Sequence, residues 1–204
     1  ITIDDVVDVI RDQAEHSVMS MVGLDEDEDV FAPIIHSSKR RSVWLGVNLV
    51  TAFIAVYFIG LFEATLQQKI ALAILMPVVA SMGGIAGTQT LIIVTRGIAT
   101  GKVTTANIKA LINKEVAVSG LNGIIWSIVI ALITYYWFAD ILLSLIIALA
   151  IITNLIVAAF SGAFLPLLLS RLKIDPALAG GVILTTITDV IGFVAFLGLA
   201  ALFI

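Results

Sequence analysis

A single carboxylate lies in the most apolar part of the sequence. Between Ala177 and Phe203, Asp189 is the one ionisable side chain. A carboxylate at the centre of a bilayer costs roughly 2.5–3.5 kcal/mol on the insertion scale, so such residues usually mark a path for ions or substrates. Cys is absent and both His residues come before residue 41, which leaves only oxygen ligands near Asp189. Oxygen ligands suit a hard cation such as Mg²⁺ or Ca²⁺, and the sequence therefore predicts a site for a mobile cation.

Small and polar residues share the helical face that carries this carboxylate. Their spacing of i, i+4, i+7, i+8 and i+11 places them on one side of an α-helix. The set is Gly181, Thr185, Thr188, Asp189 and Gly192. The opposite face holds Val and Ile, so we expect the helix to turn its polar side toward protein or water along an ion path. The structural alternative is an Asp that is protonated in the interior or bonded to a neighbouring Thr or Asn.

A second stretch combines glycine with polar residues. Gly83 and Gly87 form a GxxxG pair around Gly84, and Gln89 follows. Such pairs allow two helices to approach closely, so helix packing alone would explain them. The functional hypothesis, as opposed to helix packing alone, is a pore-lining helix in which these four residues lie along the ion path.

The composition of the chain is that of an integral membrane protein. Hydrophobic residues make up 60% of it and charged residues 13%, whereas soluble domains have about 25% charged residues. Five apolar runs are long enough to cross a hydrocarbon core of about 30 Å as helices. The runs are residues 42–62, 70–95, 116–138, 141–170 and 177–203. The predicted fold class is an all-α integral membrane protein with five transmembrane helices, preceded by an amphipathic cytosolic helix.

The charged residues predict the orientation of these helices. If the N-terminus is cytoplasmic, ten of the eleven Lys and Arg residues lie inside and only Lys69 lies outside, as the positive-inside rule favours. We therefore expect a multi-pass protein of the cell membrane, in contact with lipid, with its C-terminus outside. Glu63 and Asp140 fall at the predicted outer ends, where they would raise the local concentration of cations.

A polar segment, residues 1–41, precedes the predicted membrane domain at 42–204. It carries ten of the fifteen Asp and Glu residues and has apolar residues at helical spacing. An acidic run lies within it: Asp25, Glu26, Asp27, Glu28 and Asp29. Such runs are mostly solvated loops. The functional alternative is weak binding of cytosolic Mg²⁺ that shifts a balance between closed and open states.

Several long stretches resemble the MgtE family of magnesium channels. They are PVVASMGGIAGTQTLIIVTRGIATG (77–101), IDPALAGGVILTTITDVIGFVAFLGLAALF (174–203) and RRSVWLGVNLVTAF (40–53). The resemblance implies a homodimer whose pore lies at the two-fold axis, lined by spans 2 and 5, with hydrated Mg²⁺ bound by Asp189 of both subunits. It also implies that residues 1–41 are the end of a CBS region and a cytosolic plug helix. Ile85 stands where the family commonly has Asn.

The predicted function is a Mg²⁺-selective channel that imports magnesium, with Mg²⁺ as the transported and bound ion. The alternative is a secondary divalent-cation transporter coupled to Na⁺ or H⁺, and a rival of another class is a membrane anchor whose Asp only fastens helices together. No nucleic-acid partner is expected. An enzyme is not expected either, because the spans contain no nucleophile–base pair, HExxH motif or paired carboxylates.

Overall fold

The computed structural model of the chain describes residue 31 and residues 33–104, 106–174 and 176–204. These residues form helices and connections, without a strand. The helices are α1 (Ile34–Gly60), α2 (Glu63–Gln68), α3 (Ile70–Ala99), α4 (Ile108–Phe138), α5 (Ile141–Arg171) and α6 (Pro176–Phe203). The amphipathic helix predicted within residues 1–41 and the acidic run at 25–29 lie outside the described residues.

Five of these helices are long and apolar enough to cross a membrane, which confirms the predicted all-α membrane fold. Two of them begin earlier than predicted, at Ile34 instead of 42 and at Ile108 instead of 116. Hydropathy places the boundary where the apolar run begins, but the backbone stays helical through the Lys and Arg residues that precede it. Long basic side chains reach the membrane interface from within a helix, so charge does not end the helix.

Helix α5 is the centre of the bundle. It packs along α3, α4 and α6, and α3 also packs on α6, whereas α3 and α4 hardly touch each other. The main core cluster joins α3, α5 and α6 through fully buried residues such as Leu72, Ile147 and Phe196. Helix α1 packs chiefly against α6 and is otherwise mostly exposed. The fold thus holds α3 and α6, the two helices with the predicted site residues, against one central helix.

The tight turn between α4 and α5 is fixed by one side chain. Ala139 adopts a left-handed conformation (φ 51°) at the end of α4, and Asp140 caps α5 by accepting a hydrogen bond from the Leu143 N–H at 3.0 Å. Asp140 also forms an ion pair with Lys69, which precedes α3. This carboxylate therefore ties the start of α3 to the α4–α5 turn.

Candidate cation site

Asp189 is half-buried, in the middle of α6. Within the described part of the chain, no hydrogen bond or ion pair engages its carboxylate. Of the two forms of the structural alternative, a protonated Asp or one bonded to a neighbouring Thr or Asn, the bonded form does not occur among the described residues. An intramembrane carboxylate without a fixed partner is free to bind a mobile cation.

The predicted polar face of α6 divides into two parts. Thr185 is exposed, and its hydroxyl donates to the carbonyl oxygens of Gly181 and Val182 at 3.1 and 3.0 Å. Thr188 is fully buried, and its hydroxyl donates to the Thr185 carbonyl at 3.0 Å. Only the exposed part, Thr185 with partly exposed Gly181 and Asp189, is open to an ion in this chain.

Gly192 belongs to the packed part, where it meets Asn154 of α5. A Cβ atom on Gly192 would lie 2.6 Å from the Asn154 Nδ2 atom. That amide is fully buried and donates to the Val79 carbonyl of α3 at 2.9 Å. Asn154 therefore joins three helices, and it does so one turn away from Asp189.

The glycine pair of α3 also serves helix packing. A Cβ atom on Gly83 would lie 2.3 Å from Asn154 Nδ2, and one on Gly87 would lie 3.1 Å from the Leu184 side chain of α6. Both glycines are buried. Gly84 differs, because a Cβ atom there would meet nothing within 4 Å. In the single chain, Gly84 is thus the glycine of this stretch that no other helix covers, and its carbonyl accepts a hydrogen bond from the Thr88 hydroxyl at 2.8 Å.

Gln89 lies on a different side of α3 from the contact with α6. It lines a crevice of about 430 Å³ between α3 and α4, whose lining includes residues of α3, α4 and α5 but none of α6. Ile85 lines the same crevice. The described chain therefore does not bring Gln89 together with Asp189, although both were predicted along one ion path.

The two carboxylates predicted at the outer mouth differ in their surroundings. Glu63 is exposed in the first turn of α2 and accepts a hydrogen bond from Gln67 at 3.1 Å. Asp140 is engaged by Lys69, and the Leu143 N–H together with the Lys69 ammonium lowers the pKa of Asp140. Glu63 thus remains available to attract cations, whereas much of the Asp140 charge is neutralised by its partner.

A further carboxylate, Glu115 of α4, is buried but was not among the predicted site residues. Its side chain is only 6% exposed, and it lines the crevice between α3 and α4. The span predicted from hydropathy begins at residue 116, one residue after Glu115, and the sequence analysis assigned no role to this carboxylate. The available signal was its position immediately before a long apolar run, where an earlier helix start places Glu115 inside α4.

No group of three or more His, Cys, Asp and Glu side chains that could hold a metal ion occurs among the described residues. One chain therefore supplies Asp189 as a single carboxylate, together with hydroxyl and carbonyl oxygens. Such a donor set fits a hard cation that keeps most of its water shell, as Mg²⁺ does.

These features define a multi-pass helical membrane protein that carries a free carboxylate within its fifth span. A family model described as MgtE, divalent cation transporter, matches residues 76–199. The chain belongs to the MgtE family, which consists of membrane transporters and not of enzymes. Both helices considered for the ion path lie largely within the matched region.

Curated relatives match over essentially the whole chain. The magnesium transporter MgtE of Bacillus subtilis is 32% identical over 204 residues, covering 100% of this chain and 45% of the relative. The magnesium transporters MgtE of Enterococcus faecalis and Thermus thermophilus are each 28% identical, covering 100% and 99% of this chain and 45% of each relative. The chain thus spans less than half the length of these relatives.

Proposed function

We propose that the chain is the membrane domain of a Mg²⁺ channel, in which Asp189 binds the hydrated ion as it crosses the membrane. The observation that carries this proposal is the unengaged, half-buried carboxylate in the middle of a membrane-spanning helix. Membership in a family of divalent cation transporters, with relatives named magnesium transporters, supports a divalent cation as its ligand.

The ion site would be completed by a second copy of the chain. A carboxylate open to hydrocarbon in a lone chain would be costly. A two-fold axis beside α6 would cover it and bring two Asp189 carboxylates to one ion, which balances the charge of a divalent cation. The exposed Thr185 hydroxyl would then hold waters of the hydrated ion, and the open surface at Gly84 would leave room for them. In this arrangement, Thr188, Gly83, Gly87 and Gly192 set the positions of the helices instead of touching the ion.

The direction of transport follows from the orientation that we propose. With the N-terminus in the cytoplasm, Glu63 lies at the outer end and would attract cations to the mouth. Mg²⁺ would then enter down its electrochemical gradient. Regulation by the acidic run at 25–29 remains a prediction about residues outside the described ranges.

Mg²⁺ uptake into liposomes tests the proposal directly. Asp189→Asn and Asp189→Ala should each abolish most of the uptake, whereas Glu63→Gln, which also removes a carboxylate, should reduce it only slightly. Unchanged uptake in both Asp189 variants, together with a weakened dimer, would show instead that the residue fastens helices together.

The mode of transport needs a second measurement on the wild-type chain. A channel should carry Mg²⁺ current in planar bilayers without any Na⁺ or pH gradient, at a rate far above the turnover of a carrier. Uptake that required either gradient would assign the chain to the coupled carriers, with Asp189 still as the ion-binding residue.

A further inference from the structure

The crevice between α3 and α4 contains a second carboxylate that is nearly inaccessible to bulk solvent. Glu115 is 5% exposed as a residue, and its neighbour Lys114 provides its one ion pair among the described residues, at 3.3 Å. Lys114 itself is 67% exposed, so it pairs with Glu115 from the rim. A buried carboxylate held only by an exposed lysine is weakly compensated, because exposed ion pairs contribute little.

Further oxygen donors line the same crevice. They are the side chains of Gln89, Thr90, Ser119 and Asn122. Carboxylate, amide and hydroxyl oxygens are the ligands that hard cations prefer, and the absence of Cys and His from this lining disfavours softer metals. The chemistry of the lining thus matches a hard cation and not a transition metal.

The size of the crevice favours a cation that keeps its water shell. Its volume is about 430 Å³, whereas six waters at about 30 Å³ each occupy roughly 180 Å³. A hydrated divalent ion therefore fits with one carboxylate and a few amide or hydroxyl contacts, which is how Mg²⁺ usually binds to proteins.

We propose that the crevice is a second binding site for a hydrated divalent cation, with Glu115 as its charged ligand and Lys114 as a competing internal cation. The site is separate from Asp189, because none of the residues that line it belongs to α6. Glu115 lies seven residues into α4, or about 10 Å along the helix axis at a rise of about 1.5 Å per residue. It is therefore reached from the end of the bundle opposite to the α4–α5 turn.

Cysteine protection tests this second site, because the chain contains no Cys of its own. Val118 is an apolar residue that lines the crevice and is 46% exposed, whereas Leu121, on the same helix, is 62% exposed and does not line it. Val118→Cys and, as a matched control, Leu121→Cys would be modified with a cationic thiosulfonate reagent in detergent, with and without Mg²⁺. Mg²⁺ at about ten times the concentration that gives half-protection should slow modification at residue 118 by about tenfold, since protection follows the occupancy of the site, and should leave residue 121 unchanged.

The same assay separates the two carboxylates. Protection at residue 118 should persist in Asp189→Asn and disappear in Glu115→Gln. Loss of protection in Asp189→Asn would overturn the proposal, since the signal would then come from the ion path. Failure of Mg²⁺ uptake to depend on Asp189 would overturn only the proposed function and leave this site standing.

A third variant keeps the test decisive if Glu115→Gln does not fold. Lys114 is exposed, so Lys114→Gln should fold normally, and removing the competing ammonium should lower the Mg²⁺ concentration for half-protection by about threefold, the scale of an exposed ion pair. An unchanged or higher midpoint in Lys114→Gln would show that Glu115 serves only as the structural partner of Lys114.

Discussion

The buried amide of Asn154 leaves no room for a side chain at residue 83. A Cβ atom on Gly83 would lie 2.3 Å from Nδ2, 2.8 Å from Cγ and 2.9 Å from Oδ1 of that amide. All three distances are below any ordinary contact, and the amide is fully enclosed. Gly83→Ala must therefore displace Asn154 and break its hydrogen bond to the Val79 carbonyl.

The magnitude of this effect follows from two contributions. Overpacking a close-packed interior costs about 1–3 kcal/mol, and an interhelical hydrogen bond in a membrane contributes about 0.6 kcal/mol. Gly83→Ala should therefore lower the free energy of unfolding by about 2–4 kcal/mol relative to a glycine-to-alanine change without contacts. Gly84→Ala is that control, because it adjoins the same turn and meets nothing within 4 Å.

The assay is unfolding of the purified chain in mixed micelles by increasing SDS, followed by tryptophan fluorescence and circular dichroism. Gly83→Ala should unfold at clearly lower SDS than Gly84→Ala, which should match or slightly exceed the wild type. The double variant Gly83→Ala/Asn154→Ala should recover at least about 1 kcal/mol beyond additivity, because removing the amide makes room for the new methyl group. Equal stability of the two single alanine variants, or a purely additive double variant, would refute this account of the α3–α5 contact.

Three further predictions concern other contacts of the bundle. Gly162→Ala should destabilise the chain at least as much as Gly83→Ala, because its Cβ atom would lie 2.6 Å from the backbone oxygen of Gly87 and backbone cannot move aside. SDS unfolding checks this, with Gly120→Ala as the control, since a Cβ atom at residue 120 would meet nothing within 4 Å. Asp140→Ala should cost about 1 kcal/mol through loss of the helix cap, whereas Asp140→Asn, which keeps a cap acceptor, should cost less in the same assay. The lowered pKa of Asp140 adds stability that is present above the unfolded-state pKa, near pH 4, and is lost as pH falls through the folded-state pKa. The free energy of unfolding, measured over a pH series, should show this loss in the wild type and not in Asp140→Asn.

Hydropathy and charge were sufficient to predict the five membrane helices. Both are properties of composition over about 20 residues, and in hydrocarbon a spanning segment forms a helix because its backbone groups must hydrogen-bond within the segment. The helix starts were less accurate, since apolarity marks where hydrocarbon begins and not where backbone hydrogen bonding begins. The predicted span begins at 116 and α4 begins at Ile108, so Glu115 fell just outside the prediction although it lies inside the helix.

Periodicity predicted which residues share a side of α6 but not what that side contacts. Thr188 and Gly192 share the polar face with Asp189, yet they pack against the bundle while Thr185 remains open. A helix crossing its neighbours at an angle changes its buried side along its length, and a single sequence contains no crossing angle. For the same reason Gln89, which follows the exposed Ile85 by one helical turn, lines the crevice toward α4 and not the contact with α6.

The loose attachment of α1 has a mechanical consequence. Because α6 is the principal neighbour of α1, a tilt of α1 would act first on the helix that carries Asp189, which in turn packs along α5 and α3. The polar segment at residues 1–41 leads into α1 and includes its first residues. A displacement of this segment would therefore reach the helix that carries Asp189 through the contact between α1 and α6.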